Sequence, residues 1–138
     1  MRSVDQKKLY RGIDANLNRA KEGLRVCEDI CRFLHDQRSL TKRYKHLRHE
    51  LTSIISTLRL SELIKSRDVT GDVGRGSSPV EYKRKNVRDL FYANSQRAKE
   101  SIRVLEEFTK LLNNRLAERL KQLRYQLYTI EREIIKKM

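Results

Sequence analysis

The string "RAKEGLRV" begins at Arg19 and "RAKESIRV" begins at Arg97, an offset of 97 − 19 = 78 residues. At that offset Ala15, Asn16, Glu28 and Leu34 also recur unchanged. Further on, "LRHEL" from Leu47 meets "LRYQL" from Leu123, now at 123 − 47 = 76. The register resumes after a loss of two residues in the connection. Helical similarity arising by chance would not keep Asn, Arg and Glu in phase through two successive segments. The chain is read as two copies of one unit, and their apolar faces must cover each other.

Each unit has the pattern of a helical hairpin. In the first, Ile13, Leu17, Ala20, Leu24, Cys27, Cys31 and Leu34 step by four and three, an apolar stripe at helical period. Leu40, Tyr44, Leu47, Leu51, Ile54 and Leu58 form the partner stripe, with Ser39 as the expected N-cap. The second unit repeats this from Phe91 to Leu112 and from Leu116 to Ile134. Short polar joins, "HDQRS" and "NNR", make each pair antiparallel. The expected fold is all-α, a four-helix bundle of two duplicated hairpins with an internal pseudo-twofold. Helices are expected over 8–35, 39–58, 87–112 and 114–136. They belong to a single domain, 1–138, with units at about 8–58 and 87–136 and a connecting loop over 59–86. One Pro and five Gly fit long helices and argue against a turn-rich β fold.

The formal charge is +14, from 32 Lys and Arg against 18 Asp and Glu. Such an excess favours polyanions, whether nucleic acid, anionic lipid or phosphorylated small molecules. A nucleic-acid role is disfavoured, since the cations are spread around every helix and aromatics for base stacking make up only 7%. No run approaches the length of a membrane span. The N-terminal "MRSVDQKKLYR" lacks the apolar stretch of a signal peptide, so the expected localisation is cytoplasmic. Cys27 and Cys31 stack on one helix face, and His35, His46 and His49 do not complete a metal site with them. They are read as small buried apolar residues.

Some polar residues sit against the period. On a helical wheel Asn16 falls inside the apolar stripe and Arg19 at its margin, and Asn94 and Arg97 take the matching places. A buried Asn needs partners, and a marginal Arg needs an anion or a watery opening. Either a structural bond or a ligand would serve; the repetition favours donors facing a shared cleft. Gly23 and Ser101 are small on that face, allowing close helix approach or room for a ligand. Arg25 and Arg103 point the opposite way, with acidic neighbours at three-residue spacing, as in surface ion pairs. A homodimer interface on those faces is the rival expectation.

Between the units, Arg67 to Pro79 carries Gly71, Gly74 and Gly76 and is expected to be irregular. A loop of this length in a compact domain is either functional or disordered. Asp68 and Asp72 suit a hard cation such as Mg²⁺, while Arg67 and Arg75 with glycine amides suit an anion. No Walker A pattern is present.

Three segments together are more specific than any one of these signals: "DANLNRAKEGLRVCED" at 14–29, "RDVTGDVG" at 67–74 and "ANSQRAKESIRVLEE" at 93–107. From about Ile13 to Leu112 the chain resembles a thiamine-biosynthesis helical family whose members occur alone or fused ahead of thiamine-phosphate synthase. The resemblance implies a hydroxymethylpyrimidine-phosphate kinase activity, with ATP as co-substrate and Mg²⁺ as cofactor, and a separate thiamine-phosphate synthase to consume the diphosphate. On that footing Arg19 and Arg97 are the expected catalytic clamps on phosphate. Asn16, Asn94, Arg67 and Arg75 are expected to bind substrate, and Asp68 and Asp72 to hold the metal. The alternative is a non-catalytic basic module binding RNA or adapting other thiamine-pathway enzymes.

Overall fold

The computed structural model describes residues 5–77 and 83–138. Helix α1 spans Gln6–Asp29 and is capped by Asp5, whose Oδ1 accepts from the Lys7 amide at 2.9 Å. It runs on into a π-helical turn, Ile30–Leu34. The wider turn shifts the helical phase. Ile30 and Cys31 therefore remain buried while Leu34, expected in the stripe, is rotated out and exposed. The chain reverses through His35–Gln37, with Asp36 in the left-handed region at φ 51°.

Helix α2, Arg38–Ile55, starts one residue ahead of expectation. Ser39 is consequently in its first turn and is not the cap; Gln37 precedes the helix and makes no side-chain capping bond. The short α3, Leu60–Lys65, is pinned to the bundle by buried Leu63. Helix α4, Val87–Thr109, is capped by Asn86 Oδ1 accepting from the Asp89 amide at 2.8 Å. It stops short of Leu112. Thr109 Oγ1 bonds back to the Leu105 carbonyl at 2.7 Å and the chain turns. Helix α5, Asn114–Lys137, is capped by Asn113. Because α2 and α5 begin 114 − 38 = 76 residues apart, the two residues lost from the repeat fall in the hairpin joins.

The four long helices close a ring in the order α1–α4–α5–α2, with α1 against α4 as the most extensive contact. The described residues contain no strand. Gly12 lies against Phe108 while Gly23 lies against Asn94 and Ala98, so α1 and α4 run antiparallel. A Cβ at Gly23 would sit 2.8 Å from the Asn94 carbonyl oxygen and 3.2 Å from the Ala98 nitrogen. Only glycine permits that approach. Around the crossing, Ile13, Ala20, Leu24, Ala98, Ile102 and Leu105 are fully buried, and Tyr44, Leu51, Leu120 and Leu127 complete the interior from α2 and α5. Each large aliphatic side chain buried this way contributes about 2 kcal/mol. Cys27 and Cys31 are reduced, buried members of this core. No helix among the described residues is long and apolar enough to cross a membrane.

Candidate functional site

The antiparallel crossing sets polar residues from both repeats side by side at its edge. Asn16 is buried, and its Nδ2 donates to the Gly12 carbonyl at 2.8 Å. Asn94 makes the corresponding bond to the Leu90 carbonyl at 2.9 Å. Both asparagines thus turn one donor back onto their own helix, which is how a polar side chain survives within an apolar stripe.

Two adjoining hollows open over this edge. One, of about 460 Å³, lies over the first half of α1 and is closed by Phe108 and by Arg67, Asp68, Val69 and Asp72 of the loop. The other, of about 540 Å³, lies between α1 and α4 beneath Asp72, Gly74, Arg75 and Gly76. They share Asn16, Arg19 and Asp72 and form one groove. Somewhat larger hollows, about 590 and 610 Å³, are lined from the first half of the chain alone. The groove draws on α1, the loop and α4 together.

Of the residues expected from the sequence, Asn16, Arg19, Arg67, Asp68, Asp72, Arg75 and Arg97 all line it. Asn94 does not; it lies across the crossing, its carbonyl against Gly23, whereas the corresponding Ser101 faces the groove beside Asn16. The loop covers the Asn16 side, so the arrangement departs from the twofold of the sequence. Lys8, Arg11, Asp14, Glu100 and Val104 also line the groove, and the sequence had not marked them.

Electrostatics separate the repeated arginines. Arg25 reaches Glu28 and Asp29 at 3.3 and 3.6 Å, and Arg103 reaches Glu106 and Glu107 at 3.3 and 3.1 Å. Of the pairs expected at three-residue spacing, those to Glu28 and Glu106 form, on carboxylates that are buried; Asp29 and Glu107, one turn on, take the places expected for Glu22 and Glu100. Arg19 and Arg97 are exposed, and neither is paired with a carboxylate among the described residues. Asp72 and Glu100 line the same hollow, but with Arg75 beside Arg19 and Arg97 the cations there outnumber the carboxylates, which favours an anion from solution.

The loop is held by its own aspartates. Asp68 Oδ1 accepts from the Gly71 amide at 2.8 Å, and Asp72 Oδ1 from the Gly74 amide at 2.9 Å. A Cβ at Gly71 would fall 2.2 Å from Asp68 Oδ2, so a side chain here would displace the Asp68 carboxylate from its place in the turn. Arg67 is engaged too, donating Nε and Nη2 to buried Asp14 at 2.8 and 2.9 Å. Those bonds, with the Asp14 charge behind them, raise the Arg67 pKa further above its ordinary value.

The chain that forms this bundle and groove is similar in sequence to thiamine-phosphate synthases. The ThiD2 family model matches residues 11–133, and the chain belongs to that family. It is 40% identical over 131 residues to a thiamine-phosphate synthase of Nostoc punctiforme, covering 94% of this chain and 36% of that protein. It is 37% identical over 139 residues to the thiamine-phosphate synthase of Rhodopirellula baltica, covering 100% and 37%. For that of Synechocystis the identity is 39% over 132 residues. The chain therefore spans little more than a third of the length of these relatives. No solved structure matches it.

Proposed function

We propose that this chain phosphorylates hydroxymethylpyrimidine phosphate to the diphosphate, with ATP as phosphoryl donor. The observation that carries this is that Arg19 and Arg97, one from each repeat, line one groove and make no ion pair with a carboxylate among the described residues. Membership of a thiamine-biosynthesis family supports a pyrimidine substrate.

Phosphoryl transfer depends on alignment and charge neutralisation more than on covalent chemistry. Arg19 and Arg97 clamp phosphate oxygens and take up charge as it gathers on the leaving group. The polar edge of Asn16 meets the pyrimidine. A substrate phosphate oxygen attacks the γ-phosphorus, the bond from that phosphorus to the β-bridging oxygen breaks, and ADP departs. The attacking oxygen is already ionised at neutral pH, so no strong base is needed.

Among the described residues no three His, Cys, Asp or Glu gather as a metal cage. Asp68 and Asp72 each commit one oxygen to a glycine amide and retain the other. Two such carboxylates fit Mg²⁺, which takes its remaining ligands from water and phosphates. When bound there, Mg²⁺ would supply positive charge that offsets the charge of the phosphates. A thiamine-phosphate synthase would then consume the diphosphate.

Phosphorus NMR tests this directly, by following the chain with hydroxymethylpyrimidine phosphate, ATP and Mg²⁺. Paired diphosphate resonances should grow in step with ADP. ATP left intact beside folded protein would overturn the assignment.

A further inference from the structure

We infer that Asp14 is a positioning residue: through Arg67 it latches the glycine-bearing loop over the groove and so sets where Asp68 and Asp72 stand. This rests on the kinase assignment for its consequence, but not for its geometry.

Asp14 sits on α1 in the turn before Asn16 and Arg19, and its side chain is only 7% exposed. Arg67 is the first residue beyond α3 and its cap Ser66, and it meets Asp14 across 53 positions of sequence. Both Arg67 donors, Nε and Nη2, are committed to the two carboxylate oxygens, a fork-to-fork pairing that fixes direction as well as distance. Asp68 follows immediately. Its carboxylate closes the next turn on the Gly71 amide, and Asp72 closes the one after on Gly74. The described residues from Arg67 to Gly74 thus form a chain of local turns with a charged attachment at the root. Exposed Val69 and Val73 show that the apolar side chains of this stretch do not anchor it.

The repeat gives an internal contrast. The residue matching Asp14 is Tyr92, at 14 + 78 = 92, in a part of the sequence that is otherwise strongly echoed. The unit with a loop to hold carries the carboxylate, and its copy does not. Among the described residues the other buried carboxylates are Glu28 and Glu106, which answer arginines on neighbouring helices.

The test compares Asp14→Asn and Arg67→Gln with the unaltered chain. Hydrogen exchange is followed at the Gly71 and Gly74 amides, alongside steady-state kinetics with varied Mg-ATP. Arg67 is half exposed, so its variant keeps the test open even where Asp14→Asn fails to fold. Exchange at Gly71 and Gly74 should quicken at least tenfold in both variants, with the interior amides of α4 unchanged. The KM for Mg-ATP should rise at least tenfold with kcat reduced much less, and Arg67→Lys should recover part of that rise. Exchange within twofold of the unaltered chain would overturn the latch. Faster exchange with unchanged KM would overturn the positioning role. An unaltered chain that does not turn over removes the kinase assignment instead, and the latch is then decided by exchange alone.

Discussion

Glu28 and Arg48 form an ion pair between α1 and α2, with Arg48 Nε and Nη2 donating to the two carboxylate oxygens at 3.2 and 3.4 Å. The repeat places Glu106 at 28 + 78 and Arg124 at 48 + 76, and they pair in the same way between α4 and α5. Each glutamate is 2% exposed and also reaches an arginine of its own helix, Arg25 or Arg103. Removing one partner of a buried pair strands the other charge, which costs about 3–5 kcal/mol. Arg48→Ala and Arg124→Ala should fall near the lower bound, because Arg25 and Arg103 still answer the carboxylates. Urea unfolding checks this; a loss below about 1 kcal/mol, the level of a solvated surface pair, would contradict it.

Gly23 and Gly12 should respond differently to alanine. At Gly23 the new Cβ meets backbone, the Asn94 carbonyl oxygen and the Ala98 nitrogen, which can yield only if α1 and α4 separate. At Gly12 it meets the ring of Phe108, a partly buried side chain at the groove's rim whose end can shift more readily than backbone. Alanine otherwise gains about 1 kcal/mol over glycine inside a helix. Gly12→Ala should therefore be nearly neutral, and Gly23→Ala should lose about 1–3 kcal/mol to overpacking. Thermal unfolding of the two variants gives the comparison, and equal effects would refute it.

Stability should decline in alkali through the core thiols. Burial, with the Glu28 charge adding to it, pushes the Cys31 thiol from its ordinary 9.0 up to about 11. Cys27 and Tyr44 are raised as well, chiefly by burial and then by neighbouring core groups. A raised acid keeps its proton in the folded state while the unfolded chain loses it. Folding then binds more protons, and stability falls as pH rises, from about pH 9 to about 11 for Cys31. Each such group contributes a slope of about 1.4 kcal/mol per pH unit within its window. Urea midpoints measured from pH 8 to 10.5 should fall, and less steeply in Cys31→Ala; a flat profile would exclude this account.

The helices were legible because periodicity governs burial in a bundle, and all but one of the expected stripe residues of α1 are in the core. Leu34 escaped because a π turn is a change of phase that apolar spacing does not announce. The groove was legible on two grounds, the repeat for Asn16, Arg19 and Arg97, and the charged residues among the loop glycines for Arg67, Asp68, Asp72 and Arg75. Asp14 carries no such mark, since its match in the repeat is Tyr92. Its significance depends on Arg67 returning across 53 residues, and only the folded loop supplies that. The Glu28–Arg48 pair was hidden for a similar reason. The spacing pointed Glu28 at Arg25 on its own helix, and the cross-helix partner depends on how two helices meet.

The repeated arginines provide the sharpest discrimination. Arg19→Ala and Arg97→Ala should each weaken binding of Mg-ATP or of hydroxymethylpyrimidine phosphate at least tenfold, which corresponds to about 1.4 kcal/mol. Helix content should persist, because both side chains are exposed, lack ion-pair partners among the described residues, and give way to a better helix former. Arg25→Ala removes an arginine from the same helix that is spent on Glu28 and Asp29, so it should cost some stability and leave affinity within about twofold. Where both arginines clamp one cluster of phosphates, the double variant should lose less than the product of the single losses, since contacts to one ligand do not add independently. Titration calorimetry at two salt concentrations separates this from a diffuse effect of net charge. A site-specific clamp leaves Arg25→Ala behaving like the unaltered chain at both concentrations. A general electrostatic attraction would weaken all three variants alike, and would mean that the duplicated string records only the ancestry of the fold.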